Sequence, residues 1–185
     1  GFGVGSGKST IRFFNANSGF ITDTIAVTRQ AGYAVVQNGK LFVSLPGEFG
    51  STDGQVAVID IATKTLLRTY NLGSRMASIG QLFIIGDSVL ALASVSFGSR
   101  VGGLTRINDR NYNFKVDTTA FPIGFGNTFG VIPSANDSYT LIGSFNSAGT
   151  VSQLSLPTRQ LTSQIINKPV TGADIDIVNN RLVFT

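Results

Sequence analysis

The chain has 185 residues, 42% of them hydrophobic and only 13% charged, and 14 Lys+Arg against 10 Asp+Glu give a formal net charge of +4. That length suits a single domain over residues 1–185 with a substantial core, and the low charge argues against intrinsic disorder. Zero Cys and zero His exclude a disulfide scaffold, thiolate chemistry, Ser-His relays and the usual zinc ligands.

Apolar and polar residues alternate in short runs separated by turn residues, and no window carries an apolar stripe at helical spacing. Letters a to d name the strands of one repeat. The chain opens with a c strand at about 9–15, closed by Asn15, and a d strand at about 20–27. An a strand (about 32–37) and a b strand (about 40–45) follow, joined by Asn38-Gly39, the strongest short hairpin signal. The next c strand, about 54–60, ends at Asp60, and its d strand, about 65–72, follows the turn Thr63-Lys64-Thr65. Then come a at about 81–85, the turn Gly86-Asp87, b at about 88–95, c at about 103–108 ending in Asn108, and d at about 112–118. The following repeat places a at about 128–133, the turn Asn136-Asp137, b at about 139–145, c at about 150–155 ending in Ser155, and d at about 160–167. A last a strand (about 173–178) and b strand (about 181–185) flank Asn179-Asn180.

The residues that close the c strands, Asn15, Asp60, Asn108 and Ser155, lie 45, 48 and 47 apart. Each is followed three positions on by a hydroxyl or amide (Ser18, Thr63, Asn111, Thr158). Side chains of this kind bond the backbone two or three residues ahead and so build tight turns. Four short antiparallel strands recurring at this period predict an all-β chain: a β-propeller of four repeats with four strands each. The strand order runs from a c–d pair to an a–b pair, so Leu182-Val183-Phe184-Thr185 joined to Gly1-Phe2-Gly3 makes one well-formed blade. Two arrangements follow. In one, the first c–d pair completes the blade of the last a–b pair and four blades close into a ring; in the other, the chain is part of a larger propeller, or half of one built from two chains. Closure removes sheet edges that invite aggregation, which favours the ring.

The clearest repeat runs from Asn38-Gly39-Lys40-Leu41-Phe42-Val43 through Gly47-Glu48-Phe49-Gly50-Ser51. It continues along Gly54-Gln55-Val56-Ala57-Val58-Ile59-Asp60 and Thr63-Lys64-Thr65 to Asn71-Leu72-Gly73. This repeat resembles the YVTN-type β-propellers of bacterial cell-surface proteins, well over 38–73 and in degraded form over nearly the whole chain. Those families usually have seven or eight blades, so four is a departure. The resemblance implies a non-catalytic binding or scaffold module, some relatives capturing cobamide-like ligands, and leaves the ligand unnamed.

Gly5-Ser6-Gly7-Lys8-Ser9-Thr10 looks like a phosphate-binding loop, but the first Gly of that motif would fall on Phe2 and the following residues read as a strand where a helix is required. A second loop motif recurs as Phe49-Gly50-Ser51, Phe97-Gly98-Ser99 and Phe145-Asn146-Ser147, with Phe2-Gly3 a looser copy; the first three Phe are 48 and 48 apart. In a propeller these b–c loops share a face with the d–a loops, which carry Arg29, Arg75 and Asn127. A ring of Phe2, Phe49, Phe97 and Phe145 suits an apolar or aromatic ligand surface, and the arginines suit a carboxylate or phosphate. The bland alternative is that each Phe plugs a gap between blades and each Arg is solvated. Asp174 and Asp176 share a face of the last a strand and suit a cation or basic partner, although a water-filled channel accounts for them equally. Asn136-Asp137-Ser138 fits a glycosylation acceptor.

The basic residues are scattered singly, which argues against nucleic-acid binding, and no apolar stretch reaches the length of a membrane helix. With no initiator Met or signal peptide the chain reads as processed or excerpted. Its composition fits a secreted or cell-surface protein. The expectation is therefore a binding module for a protein or small ligand on the loop face, without a cofactor and open to oligomerisation. The alternative is a structural subunit of a surface assembly that contacts its neighbours through the same loops.

Overall fold

In the computed structural model the described residues are 9–46, 53–94, 102–108, 114–116, 128–133, 139–144, 150–155, 160–167, 173–176, 179 and 181–184. Left-handed backbone angles mark several of the turns that cut this chain into strands. Asn38 (φ 48°) and Gly39 (φ 73°) together form the tight hairpin that twists in the same sense as its flanking strands. Gly86 (φ 54°) begins the corresponding turn of the next repeat. At the c–d turns the Asx residue itself sets the geometry. Asn15 Oδ1 accepts from the backbone N–H groups of Asn17 (2.8 Å) and Ser18 (3.1 Å), and Asp60 Oδ1 from the N–H (2.8 Å) and hydroxyl (3.0 Å) of Thr63. Four residues after each Asx the chain turns left-handed, at Gly19 (φ 70°) and Lys64 (φ 54°).

The strands are β1 (Ser9–Phe14), β2 (Ile21–Val27), β3 (Ala34–Gln37), β4 (Lys40–Leu45), β5 (Gln55–Asp60), β6 (Thr65–Asn71), β7 (Ser78–Ile85) and β8 (Ser88–Ser94). They continue as β9 (Gly102–Asn108), β10 (Phe114–Val116), β11 (Thr128–Pro133), β12 (Tyr139–Ser144), β13 (Thr150–Ser155), β14 (Gln160–Asn167), β15 (Ala173–Asp176) and β16 (Arg181–Phe184). All pairings between them are antiparallel. Three sheets hold four strands in sequence order, β3–β6, β7–β10 and β11–β14, while β1–β2 and β15–β16 are separate two-stranded sheets. A short 3-10 turn, Ser74–Met76, precedes β7. The strands expected from the sequence are thus present in their expected order. Among the described residues no ladder joins β16 to β1.

Ladder registers show that the repeats are built alike. Lys40 faces Asp60 across β4–β5, and Ser88 faces Asn108 across β8–β9. Between β5 and β6 the register slips after Val58, and between β1 and β2 it slips after Phe13, so Ile59 and Phe14 occupy the same position beside the c–d turn. Such bulges add local twist.

The sheets stack face to face. One face of β4–β5, with Val43, Leu45, Ala57 and Ile59, packs with Val27, Ile11, Phe13 and Ile25 of the first sheet. The other face, with Phe42, Val56 and Val58, packs with Ile79, Leu82, Val89, Ala91 and Ile107 of the third. Residues of alternate parity leave opposite faces of a strand, so burial on both sides makes β5 continuously apolar where β1 alternates. Emptying one such position, as in Phe42→Ala, costs about 3–5 kcal/mol. Beyond the third sheet, β11 lies against β7 and β15 against β11, each sheet following its predecessor through the first strand of its repeat.

Candidate functional site

β4 and β6 end, and β5 and β7 begin, at one end of the sheets, because neighbouring strands run antiparallel. Ser44, buried on β4, fixes the entry of the first d–a loop: its hydroxyl accepts from the Tyr33 N–H (2.8 Å), and its backbone exchanges bonds with Gly32 and Tyr33 (both 2.8 Å). At the same end, Gly54 lies under the 3-10 turn; a Cβ on it would stand 1.9 Å from the Met76 carbonyl oxygen. The second d–a loop is therefore seated directly on the start of β5.

Arg29 spans the first two sheets here. Its Nη2 makes an ion pair with Asp53 Oδ1 (2.8 Å) and its Nη1 donates to the Asp53 carbonyl oxygen (2.8 Å). Asn71 Nδ2 donates to Asp53 Oδ2 (2.6 Å), while Asn71 Oδ1 accepts from the Gly73 N–H (2.9 Å). Thr28 Oγ1 donates to Gln55 Oε1 (2.8 Å). The result is a polar clip from the end of β2 to the start of β5 and the end of β6. At the opposite end of the same two sheets Lys64 pairs with Asp23. The Lys64 ammonium holds the Asp23 carboxyl below its ordinary value, and the Thr63 backbone N–H does the same for Asp60. One further link joins the second and third sheets, Gln37 Nε2 to the Gly86 carbonyl oxygen (2.8 Å).

Of the residues expected to bind on the loop face, Phe2, Phe49, Phe97, Phe145 and Asn127 lie outside the described residues, as does Asn136-Asp137-Ser138. The strand boundaries nevertheless put the three repeated Phe in equivalent connections, between β4 and β5, β8 and β9, and β12 and β13. Arg29 already has a carboxylate partner in Asp53. Arg75 is half-buried in the 3-10 turn, and among the described residues it makes no ion pair. Asp176 turns to its own hairpin, accepting from the Asn179 N–H (3.2 Å) and Nδ2 (2.7 Å). The residues after Lys8 form β1, so the helix that a phosphate-binding loop must open is replaced by a strand. No cluster of three metal-ligating side chains occurs among the described residues, and no helix among them is long and apolar enough to cross a membrane.

No family model and no curated protein matches the sequence. Solved structures do match. The chain aligns with hydrazine synthase of Kuenenia stuttgartiensis at TM-score 0.63 and 16% identity, over 90% of this chain and 46% of that one. A chain of the mitotic checkpoint complex aligns at 0.64 and 15%, over 96% and 51%. The Cps50 (Swd1) β-propeller domain of Myceliophteria thermophila aligns at 0.62 and 10%, over 95% and 55%. The fold is that of a β-propeller. The chain spans about half the length of the propeller chains that it matches, and at such identities the likeness concerns the fold alone. In a propeller the face-to-face sheets described above are blades, and the clip around Asp53 lies between two of them.

Proposed function

We propose that this chain is a non-catalytic binding module, YVTN-like and extracytoplasmic, that holds a protein partner or small ligand on its b–c/d–a loop face. The recurrence of Phe at 49, 97 and 145 in three equivalent b–c connections carries the reading. Repetition about an axis turns one modest apolar contact into a ring of them. Arg75 adds a cation to the same end, and Asp53 holds Arg29 in place as part of the rim. A sequence without His or Cys leaves few groups for general acid–base or nucleophilic work. The similar structures include the mitotic checkpoint complex and a complex of KlAtg21 with the coiled coil of AgAtg16, which fits a role in contact.

The test uses 8-anilinonaphthalene-1-sulfonate, an aromatic anion that suits both the rings and Arg75. Phe49→Ala with Phe97→Ala is expected to weaken dye binding at least tenfold with little change in thermal midpoint. A large fall in midpoint with dye binding intact means that the rings pack between blades, and the reading fails.

The chain is proposed further to be an arc of a ring larger than four blades. Among the described residues no ladder joins its two half-sheets, and it overlays about half of each propeller chain that it matches.

A further inference from the structure

The connection between β4 and β5 is held at both stems by residues of other connections. At its start, buried Ser44 exchanges bonds with Gly32 and Tyr33, and a Cβ on Gly32 would stand 2.8 Å from Ser44 Oγ and 3.4 Å from Pro46 Cδ. At its end, Arg29 donates to the carbonyl oxygen and to Oδ1 of Asp53 (2.8 Å each), and Asn71 donates to Oδ2 (2.6 Å). One residue on, the Gly54 carbonyl oxygen accepts from the Leu72 N–H (2.9 Å). Arg29, Gly32 and Tyr33, all on the first d–a connection, therefore take hold of both stems of the second blade's b–c connection.

This grip is not shared by every repeat. In the phase set by the residues that close the c strands, Gly54 has counterparts in Gly102 and Gly149, whereas Asp53 corresponds to Val101, to Ala148 and, before β1, to Lys8. None of those three side chains can accept the bonds that Asp53 accepts. A contact needed only to stack one blade on the next would recur with the period, and this one does not. The connection that it serves, residues 46–54, is also longer than its counterparts, 95–101 and 145–149. A longer connection has more freedom to lose when it presents a side chain to a ligand, and anchors from outside remove part of that freedom beforehand.

We propose that Arg29, with Gly32, is a positioning residue for the second blade's b–c connection: acting from the neighbouring blade through Asp53, it fixes where Phe49 stands and so sets the affinity of the loop face. The role rests on the binding reading above. It carries a distinctive sign. If Arg29 met an anionic ligand itself, removing the Asp53 carboxylate would free the guanidinium and tighten binding. Because Arg29 acts by holding Asp53, the same change loosens the stem and weakens binding, even though it makes the loop face more positive.

The chain has no Trp, so Phe49→Trp places a single indole fluorophore on the connection. In that background Asp53→Asn, Arg29→Met and the uncharged change Gly32→Ala are compared well below their thermal midpoints. Fluorescence anisotropy is read without dye, and affinity by titration with 8-anilinonaphthalene-1-sulfonate. Each change is expected to lower the anisotropy and to weaken dye binding about threefold to tenfold, the effect of freeing one or two ordered side chains. Arg29→Lys, which lacks the two-pronged fork, is expected to fall between Arg29→Met and the parent. Unchanged anisotropy, or tighter dye binding in Asp53→Asn, overturns the positioning role and leaves the binding reading standing. Lower anisotropy with unchanged dye affinity means that the stem is held but Phe49 takes no part in binding, which overturns the control of affinity together with the binding reading.

Discussion

Gly54→Ala tests how tightly the loop face is seated on the second blade. The added Cβ would lie 1.9 Å from the Met76 carbonyl oxygen and 2.9 Å from Ile79 Cγ1. A carbon and a carbonyl oxygen ordinarily stay about 3.3 Å apart, so β5 and the 3-10 turn must separate by roughly 1.4 Å. Both obstacles belong to well-anchored parts: a backbone oxygen, and a side chain in the core between blades. Overpacking of this kind costs about 1–3 kcal/mol and sometimes more. Loss of the Leu72 N–H to Gly54 carbonyl bond (2.9 Å) adds about 1 kcal/mol. A total near 3 kcal/mol lowers the thermal midpoint by about 6–12 °C for a domain of this size. The assay is urea unfolding followed by circular dichroism, with Gly39→Ala as comparison. Nothing lies within 4 Å of a Cβ at Gly39, so its cost is the left-handed backbone alone, about 1–2 kcal/mol. Gly54→Ala at wild-type stability, or no more costly than Gly39→Ala, refutes the seating of Met76 on β5.

Removing either partner of the Arg29–Asp53 clip lowers stability, and a double-mutant cycle of Arg29→Ala with Asp53→Ala is expected to show coupling of about 1 kcal/mol; additive losses would mean the two blades are not held there. Asp23 and Asp60 have folded values below their unfolded ones, so the folded state binds fewer protons. The stability they supply is complete above about pH 4 and lost as pH falls through the folded values. Urea midpoints are therefore flat from about pH 5 to 8, there being no His, and decline below about 4. Lys64→Met is expected to make that decline shallower, and an unchanged slope would show that the pair with Asp23 does not form in solution. Ile59→Ala is expected to cost about 2–5 kcal/mol; a cost below about 0.5 kcal/mol, as for a surface position, would remove β5 from between two blades.

Much of the architecture is legible in the sequence because turns in this fold are written in local chemistry. Asn15 and Asp60 reach only two or three residues ahead, and Asn38-Gly39 needs no tertiary partner to prefer its hairpin. Those signals set the strand order and the repeat. The bulges beside Phe13 and Val58 and the pairing of Lys64 with Asp23, 41 residues away, are not legible, since they depend on how strands and blades meet. Arg29 shows the same limit at the loop face. Its reach to Asp53 depends on how two blades meet, 24 residues apart in sequence. Asp176 is accounted for by its own turn, through Asn179, a local signal of the same kind as Asp60. Ring size is a property of the angle between blades, and residues that pack one face against another do not state that angle in their spacing.

The most direct test of radial stacking is a set of methyl NOEs from β5. Ile59 is expected to show cross-peaks to the first-sheet residues Ile25 and Val27, and Val58 to Leu82 and Ala91 of the third, neither sharing the other's neighbours. Cross-peaks from Val58 and Ile59 to one common sheet, or from only one of them to any sheet, would contradict a propeller.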